Sequence, residues 1–121
     1  MIKLTFALVR ARHLSRAEFQ DYWLNTHGPL VASVREVLRI RRYVQLHSLP
    51  DEVSASLRAT RGGPEGFDGV AQLWWDSFED MASADSEAAR AAGALLLEDE
   101  RRFIDLERSP LWWGEERVIF Q

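Results

Sequence analysis

Residues 15–30, SRAEFQDYWLNTHGPL, contain the start, the apolar face and the end of one helix. Ser15 followed by Glu18 forms a capping box, in which each side chain bonds the backbone N–H of the other residue. The aromatic side chains that follow share one stripe at helical spacing, and they are Phe19, Tyr22 and Trp23. The pattern predicts a helix from about Ser15 to Asn25.

The helix is expected to end at Gly28-Pro29, because proline lacks a backbone donor and disfavours helical geometry in the residue before it. Pro29 also suits the first position of a new helix. Apolar side chains continue at helical spacing after it, at Leu30, Val31, Val34 and Leu38. We therefore predict a helix that is broken at His27 and then resumes.

Four segments have the composition or the alternation of strands. They are residues 2–9 (IKLTFALV), 39–48 (RIRRYVQLHS), 69–75 (GVAQLWW) and 116–121 (ERVIFQ). In the first, Ile2, Leu4, Phe6 and Leu8 alternate with Lys3, Thr5 and Ala7. The second has a polar face made of Tyr43, Gln45 and His47.

The remaining segments are a loop and a second helical region. Residues 50–69 contain two Pro and four Gly, which predicts a long surface loop. Ser77 and Asp80 offer a helix cap after the third strand, with a restart near Ser83 to Ser86. Residues 87–106 form an amphipathic helix whose stripe contains Ala88, Ala91, Ala92, Leu95, Asp99 and Phe103.

The resulting order, β-α-β-β-α-β, predicts a single α+β domain over residues 1–121 with a ferredoxin-like fold. Such a fold has a four-stranded antiparallel sheet with both helices on one face. The other face is expected to contain Lys3, Thr5, Ala7, Tyr43, Gln45, His47, Gln72 and Trp74. That mixture is too apolar to remain in water, so we expect two copies to pack sheet against sheet and to enclose a lumen for a small molecule.

Composition restricts the partners. The 121 residues include 15 basic and 19 acidic side chains, a formal net charge of −4, which disfavours nucleic acid and anionic membranes. The absence of cysteine excludes disulfides, thiolate nucleophiles and cysteine-ligated metal sites. No apolar run approaches ~18 residues and the first strand begins at the first residues, so we expect a cytoplasmic protein.

Several motifs together resemble the EthD-like family of dimeric α+β barrels. They are Phe19-x-x-Tyr22-Trp23-x-x-x-His27-Gly28-Pro29-Leu30, Tyr43-x-Gln45-x-His47, the run from Phe67 to Trp75, and Asp99-x-x-x-Phe103. The resemblance covers nearly the whole chain except residues 50–66. It implies the ferredoxin-like fold, the homodimer and the lumen, and it points to lactone isomerases, polyketide cyclases and decarboxylases as similar enzymes.

His27 and Tyr43 are the candidate catalytic residues. An imidazole titrates near neutral pH, and the resemblance to lactone isomerases implies that His27 carries the proton. The alternative is that His27 only caps the helix by bonding its last carbonyls. The same resemblance gives Tyr43 a catalytic or substrate-binding role, against the alternative of an ordinary aromatic wall.

The candidate substrate-binding residues are Tyr22, Trp23, Gln45, His47, Asp68, Gln72 and Trp74. Asp68 has the alternative of bonding its own turn backbone, and Trp74 that of packing in the dimer interface. His27 and His47 lack an acidic partner at i, i+4, so no metal site is predicted, and no cofactor is expected. No nucleophile elbow or phosphate-binding glycine motif is present.

These observations lead to three hypotheses about function. The first is a cofactor-independent isomerase, cyclase or decarboxylase that transfers protons on a lactone or an aromatic, polyketide-type substrate. The second is a non-catalytic ligand-binding or accessory protein of a degradative pathway. The third is a cofactor-free monooxygenase.

Overall fold

The computed structural model describes residues 1–121 and gives the predicted order of strands with additional helical segments. The elements are β1 Ile2–Leu8, α1 Arg16–Tyr22, a π turn Trp23–His27, α2 Gly28–Ser33, α3 Arg35–Leu38, β2 Arg42–His47, α4 Asp51–Ala59, β3 Gly69–Trp75, α5 Phe78–Ala82, α6 Glu87–Phe103, a short 3-10 helix Leu106–Arg108 and β4 Leu111–Gly114. The strands form one sheet in the order β2-β3-β1-β4, and every neighbouring pair is antiparallel. This is the ferredoxin-like α+β arrangement.

The core lies between the sheet and the helices. Leu8 of β1 and Ala71 of β3 contribute the sheet side of the main buried cluster. Phe19, Trp23 and Phe103 cover them from the helical side, and each of these three rings is at most 1% exposed. The capping box at Ser15 and Glu18 is present as predicted, so the start of α1 is determined by local sequence.

The polar face of β2 points in the direction opposite to the predicted one. Tyr43, Gln45 and His47 pair with Leu73, Ala71 and Gly69 of β3, on the side of the sheet that faces the helices. Single-strand alternation does not specify which face meets the core, and the polar atoms of β2 find partners there. Lys3, Thr5, Gln72 and Trp74 do lie on the open face, as their register with one another shows.

The predicted break at His27 is a π turn instead. Trp23 to Gly28 keep right-handed helical geometry, and the N–H of Gly28 bonds the carbonyl of Trp23 five residues earlier. Widening the helix by one residue accommodates Pro29, which has no N–H to offer. The helix therefore continues through His27 without leaving helical geometry.

The segment 50–69 is not a loop throughout, because Asp51–Ala59 forms α4. Asp51 and Glu52 lie in its first turn, where the helix dipole favours acids, and Arg58 bonds both carboxylate oxygens of Asp51 at 3.0 Å. The glycine content of residues 50–69 does not argue against this helix, because all four glycines come after Ala59.

The last strand was predicted at residues 116–121 and lies instead at Leu111–Gly114, where Trp112 and Trp113 pair with β1. The true strand is short and follows Pro110, whereas the alternating tail has no strand partner within the chain. Its apolar residues Val118, Ile119 and Phe120 are exposed. None of the helices has both the length and the apolar composition that crossing a membrane requires.

Candidate functional site

An apolar cavity of about 170 Å³ lies between the sheet and the helices. Leu4, Phe6 and Leu73 line it from the sheet, and Trp23 and Val31 line it from the helical side. Fourteen of its sixteen lining residues are hydrophobic, and the other two are His27 and Glu100. We call this space the inner cavity. A mostly apolar space with a few polar groups is typical of a small-molecule site.

His27 is held by a buried carboxylate from a distant part of the chain. Its Nδ1 lies 2.7 Å from Oδ2 of Asp99 on α6, and both residues are buried. The hydroxyl of Tyr22 donates to the other oxygen, Oδ1 of Asp99, at 2.6 Å. The imidazole therefore bonds a carboxylate rather than the helix carbonyls that the capping alternative would require.

The second imidazole nitrogen, Nε2, is available to a bound molecule. It has no hydrogen-bond partner in the chain, whereas every fully buried side-chain nitrogen or oxygen in the structure has one. Nε2 must therefore have open surface, and His27 lines the inner cavity. Asp99 fixes the proton on Nδ1, which leaves Nε2 as the basic atom.

Burial and hydrogen bonding act in opposite directions on this pair. Burial lowers the pKa of His27, against the hydrogen bond and the charge of Asp99, so the ring is neutral at neutral pH. Burial also acts to raise the pKa of Asp99, but the bonds from Tyr22 and His27 outweigh it and the pKa lies below its usual value. The resting pair is a neutral imidazole beside a carboxylate, which is the state required of a base.

Tyr43 reaches the same cavity from β2. Its hydroxyl oxygen accepts from Nε2 of Gln45 at 2.7 Å, and that amide also donates to the carbonyl of Trp23 at 2.9 Å. Burial raises the pKa of Tyr43, so the phenol keeps its proton. With its oxygen already accepting a bond, Tyr43 has its own O–H to donate to a ligand.

Gln45 and His47 support this arrangement from the edge of the sheet. Nε2 of His47 lies 2.8 Å from Oε1 of Gln45, and its ring stacks on Trp23 with centroids 4.6 Å apart. Gln45 and His47 line a shallow groove between β2 and α2 and do not line the inner cavity. Tyr43 contributes to both. Gln45 and His47 orient Tyr43 and Trp23, which lie within the cavity wall.

Asp68 lies outside the cavity and joins three parts of the chain. It accepts bonds from the backbone N–H of Arg10 at 2.8 Å, from the guanidinium of Arg10 at 2.7 Å and from Arg16 at 3.0 Å. Burial acts to raise the pKa of Asp68, but these bonds outweigh it and the pKa lies below its usual value. The structure therefore gives Asp68 a bonding role between β1, α1 and β3.

Gln72 and Trp74 are separated from His27 and Tyr43 by the sheet. The indole N–H of Trp74 donates to Glu116 at 2.6 Å, and Lys3 and Arg42 lie over its ring at 4.8 and 4.6 Å from the centroid. Gln72 and Trp74 therefore do not share the inner cavity with His27, and their role in substrate binding stays a prediction. Trp74 belongs to the open face.

Two residues of this site were not identified from the sequence, Asp99 and Glu100. The position of Asp99 could have indicated its role, because a carboxylate on the apolar stripe of an amphipathic helix requires a buried partner. Nothing in the sequence distinguishes Glu100, because it is one of five consecutive charged residues from Glu98 to Arg102. Burial, and secondarily the charge of Asp99, raise the pKa of Glu100 to about 7. No group of three acidic or histidine side chains is placed to hold a metal ion.

Comparison with known proteins was made by sequence and by structure. The EthD domain family matches residues 11–107 in sequence. No curated protein matches the chain. An ethyl tert-butyl ether D family protein from Bacillus halodurans C-125 is 20% identical with a TM-score of 0.63, covering 97% of this chain and 99% of its own.

Two further crystal structures have the same fold. An EthD-like protein from Ralstonia eutropha JMP134 is 18% identical with a TM-score of 0.57, over 98% of this chain and 95% of its own. A dimeric protein of unknown function and ferredoxin-like fold from Bacteroides fragilis is 11% identical with a TM-score of 0.58, over 95% of both chains. The similarity to these crystal structures supports the fold alone. The sequence match extends over most of the chain, so this protein belongs to the EthD domain family.

Proposed function

We propose that this protein is a cofactor-independent enzyme that transfers a proton on an uncharged small molecule in the inner cavity. The observation that supports it best is the buried His27–Asp99 pair, which leaves Nε2 of His27 without a partner in the chain, on a residue that lines the inner cavity. A buried histidine with a purely structural role would also need a partner for its N–H, but it would not need a second nitrogen without a partner beside a cavity.

The chemistry follows from the contacts. Nε2 of His27 removes a proton from a carbon next to a carbonyl group, and the electron pair of that C–H bond moves toward the carbonyl oxygen. The charge of Asp99 stabilises the imidazolium that forms, as in other carboxylate–histidine pairs. The O–H of Tyr43 donates to the oxygen on which negative charge develops. Isomerisation, cyclisation and decarboxylation share such an enolate-like anion.

Deuterium exchange tests this proposal without knowledge of the natural substrate. Two probes are α-angelica lactone and the β,γ-unsaturated isomer of cyclohexenone, both of which have an acidic C–H next to a carbonyl. We expect the wild type to catalyse exchange of that hydrogen in D₂O, followed by NMR. His27→Gln should lose about 10²- to 10⁴-fold in rate, the usual contribution of a positioned base.

His13→Gln is the matched control, because His13 is exposed and lies outside the cavity. Its exchange rate should equal that of the wild type. Equal rates in His27→Gln and wild type would overturn the proposal. Probes that bind to the wild type without catalysed exchange would favour a ligand-binding or accessory protein instead.

A further inference from the structure

Glu100 is the one polar group of the inner cavity that the proposed reaction does not use. It lies on α6 directly after Asp99, and its side chain lines the same cavity as His27. It makes no hydrogen bond and no ion pair, although nine other Asp and Glu side chains form ion pairs with Lys or Arg. No Lys or Arg lines the cavity.

A carboxylate in these surroundings is unfavourable if it has no function. Glu100 is half-buried, and an ionised carboxyl that is partly withdrawn from water beside apolar side chains is disfavoured unless a cation or donors compensate. The charge of Asp99 acts on Glu100, and because it has the same sign it disfavours the ionised form further. The group avoids this cost by holding a proton, and burial together with Asp99 raises its pKa to about 7. A protonated carboxyl has an O–H to donate.

The size of the cavity limits what Glu100 can meet there. An apolar cavity of about 150 Å³ is known to accept benzene, and the inner cavity has about 170 Å³. One ring with one or two small substituents fits this volume. An anionic ligand would be repelled by Asp99, and the apolar lining offers an ion no solvation.

We propose that Glu100, in its protonated form, donates a hydrogen bond to the carbonyl oxygen of an uncharged, single-ring ligand in the inner cavity. This inference rests on the proposed use of that cavity as the substrate site. Glu100 is then a specificity-determining residue: it selects a neutral oxygen acceptor over an anion, and it places the ring against Nε2 of His27.

The groups that face Glu100 limit the interpretation of its titration. His27 faces it from the π turn, Tyr43 from β2 and Asp99 from its own helix, whereas β1, β3, β4 and α3 contribute apolar residues to the cavity. Above about pH 6.5, His27 is neutral, Asp99 is ionised and Tyr43 keeps its proton. Glu100 is then the group of this set that changes charge up to about pH 8.5.

The experiment measures the binding of cyclohexanone by NMR titration at several pH values. Cyclohexanone accepts a hydrogen bond but donates none, so it should bind only the protonated form of Glu100. Its affinity for the wild type should fall about twentyfold between about pH 6.5 and about pH 8.5, in proportion to the protonated fraction of an acid with a pKa of about 7. In Glu100→Gln the amide donates at every pH, so the affinity should be independent of pH.

Two other variants keep the result decisive. Glu98→Gln is the matched control on the same helix, with a side chain that is 63% exposed, and it should retain the wild-type pH dependence. Glu100→Met preserves length and apolar surface but removes the donor, so it should bind cyclohexanone roughly fivefold more weakly at low pH.

The proposal is overturned if the wild type does not bind cyclohexanone, if its binding is independent of pH, or if Glu100→Gln retains the wild-type slope. At about pH 6.5, stronger binding of the cyclohexylammonium ion than of cyclohexanone would also overturn it, because Glu100 would then act as an anion at a pH where the proposal requires it to be protonated. Binding is measured here without turnover. Failure of the exchange experiment with this pH profile intact would therefore remove the proton-transfer function and leave the ligand site.

Discussion

His27 and Asp99 are 72 residues apart in the chain, and their contact connects the π turn with α6. One oxygen of Asp99 bonds Nδ1 of His27 and the other accepts from the hydroxyl of Tyr22. Both oxygens therefore have a hydrogen-bond partner within the chain. Such an arrangement restrains the imidazole in one orientation and one tautomer. Asp99 is therefore a positioning residue, and its effect must be seen in the properties of His27.

Replacing Asp99 with Asn should lower the pKa of His27 still further. The hydrogen bond and the charge of Asp99 act to raise that pKa, and their loss leaves burial unopposed. The imidazole should then stay neutral to lower pH, which NMR titration of its ring protons measures directly. On a substrate found by deuterium exchange, the rate should fall by about 10²-fold or more, because the imidazolium loses its counter-charge. A His27 pKa that is unchanged or raised would contradict this role of Asp99.

Glu100 should destabilise the folded protein at high pH. Its pKa is raised from 4.5 in the unfolded chain to about 7, so the folded state binds the proton more tightly. The protonated Glu100 side chain imposes no electrostatic cost on the folded state, so the free energy of unfolding is at its full value below about pH 4.5. It falls as the pH rises from there to about 7, because the unfolded chain releases this proton more readily than the folded protein does. Above that pH, Glu100→Gln should exceed the wild type by about 3 kcal/mol in free energy of unfolding, at ~1.4 kcal/mol per pKa unit.

Urea unfolding at pH values on both sides of this range measures the difference. It should disappear below about pH 4.5, where the wild-type carboxyl is protonated in both states. Glu98→Gln, at an exposed position of the same helix, should show no such pH-dependent gain. A constant difference at all pH values would mean that Glu100 does not titrate as described.

Among the helices and strands, the sequence predicts those features that depend only on neighbouring residues, such as strand alternation and helix caps. Strand β3 begins at Gly69 and ends at Trp75 as predicted, and Ser77 and Ser86 cap α5 and α6 through their side chains. The π turn and β4 depend on tertiary partners. A π turn places one residue outside the regular helical repeat, and β4 exists because β1 offers it an edge. Periodicity within a segment contains no information about either.

Close packing between the π turn and β3 makes Gly69 a sensitive position. A Cβ there would lie 2.4 Å and 2.8 Å from two ring carbons of Trp23 and 2.9 Å from the carbonyl of Leu46. Trp23 is 1% exposed and stacked on His47, so its ring has little room to move. We expect Gly69→Ala to lower the free energy of unfolding by roughly 1–3 kcal/mol, the usual cost of overpacking.

Thermal unfolding measures this cost, and Gly93→Ala is the control. Gly93 lies within α6, and a Cβ there would meet nothing within 4 Å. Alanine should stabilise the helix at this position by about 0.5–1 kcal/mol. The two substitutions add the same methyl group with opposite expected signs. Equal effects would show that Trp23 is not tightly packed against β3.

In the molecule as a whole, the sheet separates two polar regions that sequence analysis had merged. His27 and Tyr43 both line the inner cavity, which lies between the sheet and the helices and not on the open face where a lumen was expected. Gln72 and Trp74 face the other side, with Lys3 and Arg42 over the indole. Strand alternation sorts residues into two sets within a strand, whereas pairing register decides which sets share a face. The sequence alone could not provide that register.

The open face of the sheet leads to the last prediction, a homodimer that packs sheet against sheet. Leu46 and Trp112 are exposed on this face, and the tail after β4 exposes Ile119 and Phe120. An exposed apolar face is typical of a protein–protein interface. Light scattering at micromolar concentration should give twice the mass of one chain.

Leu46→Arg should shift the protein toward the monomer, because it places a charge on the open face that forms the proposed contact. Leu57→Arg is the matched control: Leu57 is exposed to a similar degree, 64% against 57%, but lies on α4 and not on a strand of the sheet. The protomer fold should survive both substitutions, since neither leucine is buried within the chain. A monomeric wild type, or dimers that Leu46→Arg leaves unchanged, would place any assembly on another surface. The lining of the inner cavity would be unaffected in either case, because its residues come from one protomer and Leu46 is not among them.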